Sequence, residues 1–263
     1  MPRSIITLTT DFGISDHFVG VMKGVILGLH PTAQIVDITH QINPYEISEG
    51  GFVVAEAYRW FPRKTVHVVV VDPGVGTLRR PILVEAAGQY FVAPDNGVLS
   101  MIYAREKHKV RAVTAEKFFL KPVSDTFHGR DVFAPAAAQL AKGTPAARFG
   151  KIIGDYCRLE FDKPVRTGKR VWKGTILKID RFGNLITNFH IAEFPVVRTR
   201  PFSMTAGQQE ITTLARTFGE RNFGELFLVV GSSGYLEVAA NQSPAAKMTG
   251  AAVGAPVELT IYP

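Results

Sequence analysis

The chain has 263 residues, 46% apolar and 20% charged, the balance of a folded soluble protein with one large or two modest domains. Thirty basic against 23 acidic residues give a net charge of +7. That admits an anionic partner, but the basic residues are scattered and lack the stripe of a nucleic-acid surface, so no nucleic-acid partner is expected. The single cysteine, Cys157, excludes an internal disulfide and a cysteine-built zinc site.

In chain order, Ser4 to Thr10 is strand-like and ends at Asp11-Phe12-Gly13. Ser15-Asp16 is a candidate helix cap. It precedes apolar residues at Phe18, Val21, Met22, Val25, Ile26 and Leu29, a helical spacing closed by His30-Pro31. Residues 34–38 form a short strand and Ile47 to Trp60 a second helix. The valine-rich run from Val66 to Val71 then stops at Asp72-Pro73-Gly74. Such a run reads as a buried strand, and Pro-Gly forces the chain out of the sheet. A hairpin across Gly88, a helix near Val98 to Arg105 and a strand near Val110 to Val113 follow. A polar turn, residues 124–131, leads into an alanine-rich helix from Val132 to Lys142.

Strand and helix alternate through the first seventy residues, the pattern of a parallel α/β sheet. Beyond about residue 155 the segments are short and strand-like, with one helical patch near Thr213 to Phe218. The expected fold class is α/β, with an N-terminal α/β domain (1–160) holding a central, mostly parallel sheet. A linker (161–173) joins it to a smaller C-terminal β-barrel-like domain (174–263). No segment reaches the roughly 18 apolar residues of a membrane span and no secretory signal is evident. A cytoplasmic protein with no membrane partner is expected.

Ligands in open α/β sheets bind outside the carboxyl ends of the strands. Asp72 stands at such an end, and Arg79 and Arg80 follow it. Asp72 reads equally as a turn residue or as a site carboxylate, Arg80 reads as a solvated surface arginine, and His128 reads as structural or as a proton-exchanging group. Asp11 is either a turn aspartate or a ribose-binding carboxylate. Together an aspartate, an arginine and a histidine are suited to orient and polarise water. Asp11-Phe12-Gly13 lacks the rest of a kinase, and Gly74 to Thr77 lacks the ending of a phosphate loop. Neither a metal site nor a serine nucleophile has support in the sequence.

Six motifs in order carry a resemblance. They are Thr9-Thr10-Asp11-Phe12-Gly13, Val71-Asp72-Pro73-Gly74-Val75-Gly76-Thr77 with Arg79-Arg80, Ala93-Pro94-Asp95-Asn96-Gly97, and Thr126-Phe127-His128-Gly129-Arg130-Asp131. In the second half they are Ile179-Asp180-Arg181-Phe182-Gly183-Asn184 and Ser233-Gly234-Tyr235-Leu236. The chain thereby resembles the adenosine-forming S-adenosylmethionine hydrolases, or SAM hydroxide adenosyltransferases, relatives of fluorinase and chlorinase. The resemblance implies hydrolysis of S-adenosyl-L-methionine to adenosine and L-methionine, with S-adenosylmethionine as substrate and no cofactor. It also implies a homotrimer with sites at subunit interfaces.

By the same resemblance, Asp72, Arg79 and His128 are the catalytic, water-activating triad. Asp11 binds ribose, Asn184 contacts adenine, and Asp16, Asp180 and Ser232 lie near the methionine portion. Tyr45 and Phe127 complete the substrate-binding positions. The halogenases carry tyrosines in place of Asp72 and His128 and a serine in place of Gly129, so the differences favour water over halide. The alternatives are a chlorinase-like halogenase, a non-catalytic adenosine or S-adenosylmethionine binder, and a nucleic-acid-binding protein.

Overall fold

In the computed structural model, which describes residues 4–160 and 163–263, the strand–helix alternation of the first half folds into a six-stranded sheet. Its strands are β1 (Ile5–Thr10), β2 (Gln34–Thr39), β3 (Val66–Val70), β4 (Pro81–Ala86), β5 (Gln89–Pro94) and β6 (His108–Ala112), in the spatial order β2-β1-β3-β5-β4-β6. The β1–β2, β1–β3 and β3–β5 pairs are parallel, and β4 runs antiparallel to both β5 and β6. The sheet is thus mostly parallel, as the sequence pattern implies.

The helices cover both faces. Helices α1 (Phe18–Leu29) and α4 (Ala134–Ala141) pack together over one face, burying Met22, Ile26, Ala137 and Ala138 against Ile6, Leu8, Val66, Val68 and Val70. Helices α2 (Ile47–Ala57) and α3 (Ser100–Arg105) pack on each other, with α2 also against β1 and β3. Every residue of β3 is buried, which explains its unbroken valine run. Its one polar member, His67, is fully buried between Thr7 Oγ1 (2.7 Å) and Gln89 Oε1 (3.3 Å) and stacks on Phe91. Burial lowers the His67 pKa to about 4, so the ring is neutral at pH 7.

Ser15 and Asp16 do not cap α1. The cap position falls on His17, and no side chain bonds the free amides there. The second helix ends earlier than its apolar pattern, passing into a 3₁₀ turn at Tyr58–Trp60.

The chain divides into two units, Met1–Phe161 and Asp162–Pro263. The first residues of the expected linker, 161 and 162, lie outside the described residues, and from Val165 the segment is already strand. The second unit contains β7 (Val165–Arg166), β8 (Val171–Ile179), β9 (Leu185–His190), β10 (Phe202–Ala206), β11 (Gln209–Ile211), β12 (Leu214–Ala215), β13 (Leu226–Val230), β14 (Tyr235–Ala240) and β15 (Pro256–Ile261). These join in one sheet that curls into a half-barrel around Ile176, Phe189, Met204, Leu236, Val238 and Leu259. The helix expected over 213–218 is absent; β12 pairs with β13 there, and a 3₁₀ turn follows at Phe218–Glu220. A short helix, α5 (Ala245–Thr249), lies where none was expected. Among the described residues no helix is long and apolar enough to cross a membrane.

Candidate active site

The first unit's candidate site is built where β3 leaves the sheet. Asn96 donates from Nδ2 to the Val71 carbonyl at 2.8 Å, fixing the strand's exit. The chain then doubles back, with Val75 N–H donating to the Asp72 carbonyl and Thr77 N–H to that of Gly74, both at 3.2 Å. The turn returns Arg79 to Asp72. Arg79 Nε donates to Asp72 Oδ1 at 3.0 Å, and Nη2 donates to Oδ2. Both side chains are over nine-tenths buried, and the guanidinium lies over the Phe133 ring. A buried two-point pair of this kind has fixed geometry.

Arg79 Nη2 also reaches His128 Nδ1 at 2.7 Å. A guanidinium only donates, so Nδ1 accepts, and the neutral ring carries its proton on Nε2. Burial lowers the His128 pKa, and the Arg79 charge lowers it further against the opposing charge of Asp72. Two packing features hold the histidine's turn in place. Gly76 has φ +76, and a Cβ there would stand 2.3 Å from the Asp125 carbonyl oxygen, so the Asp72–Arg79 loop lies directly on the loop before His128. Asp131, fully buried, accepts from Ser124 N–H at 2.9 Å and pairs with Arg130.

Asp11 stands at the end of β1 and accepts from Tyr45 N–H at 3.0 Å. Its pKa is raised, chiefly by burial and further by the Asp72 charge, against the lowering effect of the Tyr45 amide. Tyr45 has φ 70, and its side chain is largely exposed. Phe127 meets Phe12 and Phe18 edge to face, with ring centroids 6.1 and 5.2 Å away. Gly129 closes this cluster, since a Cβ there would lie 3.1 Å from Met22 Sδ and 3.2 Å from the Phe127 ring. Asp16 is exposed just before α1. Arg80 is not the solvated arginine expected from sequence. It binds Asp95 at 2.7 Å and Asp155 at 3.0 Å, tying the chain around residue 155 to the end of β5.

In the second unit, Asp180 and Asn184 form one closed turn between β8 and β9. The Asp180 carboxylate accepts from Phe182 N–H, Asn184 N–H and Asn184 Nδ2, all within 2.9 Å. Asn184 is buried and lines a cavity of about 480 Å³ with Phe182, Phe218 and residues 240–244. Ser232 is exposed in the β13–β14 turn.

Sequence reasoning passed over Glu237. It is inside β14, paired in register with Val229 and Ile186, and its carboxylate packs so closely on Gly231 that a Cβ there would stand 1.7 Å from Oε1. Burial, with the Asp180 charge adding, raises its pKa to about 7. The available signal was a lone charge in the centre of an apolar strand.

Comparisons with known proteins place both units in one family. Residues 6–150 match the family model of the SAM hydroxide adenosyltransferase N-terminal domain, and residues 174–258 match that of the C-terminal domain. A Salinispora tropica protein named (R)-S-adenosyl-L-methionine hydrolase is 36% identical over 263 residues, 98% of each chain. A fluorinase from an Actinoplanes species is 28% identical over 92% of each chain. The crystal structure of a conserved Thermotoga maritima protein superimposes with a TM-score of 0.91 at 36% identity, covering 97% of this chain and 99% of that one. Matched along both units, the chain belongs to the SAM hydroxide adenosyltransferase family.

Proposed function

We propose that the protein hydrolyses S-adenosyl-L-methionine to adenosine and L-methionine. The observation that carries this reading is the single guanidinium, Arg79, that binds both Asp72 and His128. With His128 Nδ1 occupied by Arg79, its Nε2–H is left to donate to a water oxygen. Each Asp72 oxygen keeps a lone pair beyond its bond to Arg79, and one of these accepts the water proton.

The water oxygen attacks the ribose 5′ carbon as the carbon–sulfur bond breaks. The sulfonium leaves with the bonding electrons as the neutral thioether of methionine, and the proton passes to Asp72 and then to solvent. Holding the water in line and assisting its deprotonation are worth several orders of magnitude in rate. Asp11 receives the ribose hydroxyls, Tyr45 and Phe127 bound the site, Asn184 contacts adenine, and Asp16, Asp180 and Ser232 take the methionine portion. No cofactor or metal enters this scheme.

The triad belongs to the first unit and the Asp180–Asn184 turn to the second. This division, with the family resemblance, supports a homotrimer in which a neighbour's second unit completes each site. Light scattering should give three times the 28.8 kDa chain mass. One cysteine in the whole chain supports a reducing, cytoplasmic location.

Chromatography of the protein incubated separately with the (R) and (S) sulfonium epimers tests the activity. Adenosine and methionine in equal amounts are expected. No adenosine from either epimer overturns the reading. A product that appears only with chloride, 5′-chloro-5′-deoxyadenosine, would mark a halogenase instead.

A further inference from the structure

At the opposite edge of the first sheet, where β3 and β5 begin and β4 ends, lies a cleft of about 450 Å³. Its rim carries Arg63, Lys64, Lys107 and Lys109, all exposed. None of these four forms an ion pair among the described residues. The only carboxylate in the lining, Glu85, is already paired with Arg111 at 3.2 Å. The cleft lining therefore carries four basic side chains against one carboxylate that is already paired.

The surroundings are rigid. Gln89, buried beneath, donates from Nε2 to the carbonyls of Tyr58, Phe61 and Pro62 at 3.1, 2.7 and 3.3 Å, holding the segment that leads into Arg63. Lys64 N–H donates to the Gly88 carbonyl at 2.8 Å, joining that segment to the β4–β5 hairpin. Lys64 and Ala87 both adopt left-handed backbone, with φ 67 and 53. At Ala87, beside Gly88 with φ 73, this is the ordinary two-residue turn of the β4–β5 hairpin. The exposed Arg63 guanidinium rests against the hairpin turn at Gly88, where a Cβ would stand 2.7 Å from its carbon. His108 is committed elsewhere, to the Glu106 carbonyl and the Tyr156 hydroxyl.

We propose that this cleft is a second binding site, separate from the Asp72 loop, for a compact polyphosphate anion. A guanidinium matches phosphate oxygens bidentately, and the neighbouring lysines neutralise the remaining charge. The volume is that of a small-molecule site, which favours a phosphorylated metabolite over an extended nucleic acid.

The test is calorimetric titration of the full-length protein with tripolyphosphate. A second arm uses ATP in the presence of just enough adenosine to fill the proposed hydrolase site. One tripolyphosphate per chain is expected, with affinity at least ten-fold weaker in Arg63→Gln and in Lys107→Gln/Lys109→Gln. Sodium sulfate at matched ionic strength should not compete. Tighter binding of ATP than of tripolyphosphate identifies a nucleotide ligand, and equal binding identifies the phosphate chain alone; both uphold the site. No binding, or binding unchanged in both variants, overturns it. Adenosine formation from S-adenosylmethionine should be unaffected in these variants, so this result stands apart from the hydrolase reading.

Discussion

Asp72 and Arg79, seven residues apart, face each other across a tight turn and are joined by two parallel hydrogen bonds in a nearly dry setting. Asp72→Asn keeps the shape and removes the charge. Adenosine formation should fall by about 10²–10⁴-fold, the usual worth of a positioned general base. Asp72→Ala should in addition lower stability by about 3–5 kcal/mol, because it strands a buried guanidinium. Turnover assays and chemical denaturation separate the two effects. Wild-type turnover in Asp72→Asn would falsify the assignment.

His128 governs the acid limb of the activity. Its pKa is lowered by burial and by Arg79, so it stays neutral at pH 7 and gains its proton only below the ordinary histidine value near 6.5. Protonation places a hydrogen on Nδ1, where Arg79 already donates. The kcat/KM profile should therefore stay level from pH 8 down to about 6.5 and fall below it. A fall centred above 6.5 would show that another group controls the rate.

Stability should follow His67 independently of activity. Its folded pKa of about 4 lies below the ordinary histidine value of 6.5, so the unfolded chain takes up the proton first. The resulting stabilisation is fully present above pH 6.5 and is lost as pH falls toward 4, with a size on the order of 3 kcal/mol. His67→Gln should be less stable at pH 7 but show a shallower decline between pH 6.5 and 4. Parallel denaturation midpoints in the two proteins across that range would remove His67 as the cause.

Glu237 has the opposite sign. Its folded pKa of about 7 exceeds the ordinary 4.5, so the folded state favours the proton. The stabilisation is present below 4.5 and is lost as pH rises through 7. Glu237→Gln should therefore gain stability over wild type on going from pH 4.5 to pH 8, read from melting temperatures at each pH. A constant difference between the proteins would contradict this.

Gly76 links the two loops of the triad. Gly76→Ala meets both a left-handed backbone and the Asp125 carbonyl oxygen at 2.3 Å. Loss of about 1–3 kcal/mol is expected, with turnover falling because His128 moves relative to Arg79. If the variant keeps wild-type turnover at a temperature where it is fully folded, the contact does not position the histidine.

Much of this was legible in the sequence, for identifiable reasons. The β3 run and its Asp-Pro-Gly exit are local signals, as is the helical spacing from Phe18 to Leu29. The choice between Arg79 and Arg80 was not local, because adjacent arginines look alike until the carboxylates they meet, Asp72 and Asp95, are placed by the fold. The contact from Arg79 to His128 spans 49 residues and leaves no periodic trace. In the second unit, β12 has two residues and α5 has five, too short for either period to register. Glu237 was hidden by its strand, whose apolar neighbours drew attention to packing.

His128 is followed by one turn of π-helix, Gly129–Phe133, before α4 continues as regular α-helix. Such turns accommodate an additional residue within a helix and recur at functional sites. Removing one residue from Gly129–Phe133 would let the stretch rewind as regular α-helix, and because Gly129, Asp131, Val132 and Phe133 are all buried, the side chains it presents to the core would be reassigned. Phe133, whose ring lies beneath the Arg79 guanidinium, and the Gly129 contact with Phe127 would both be disturbed. The triad is therefore sensitive to chain length as well as to residue identity, and this short stretch should tolerate conservative replacement far better than any insertion or deletion.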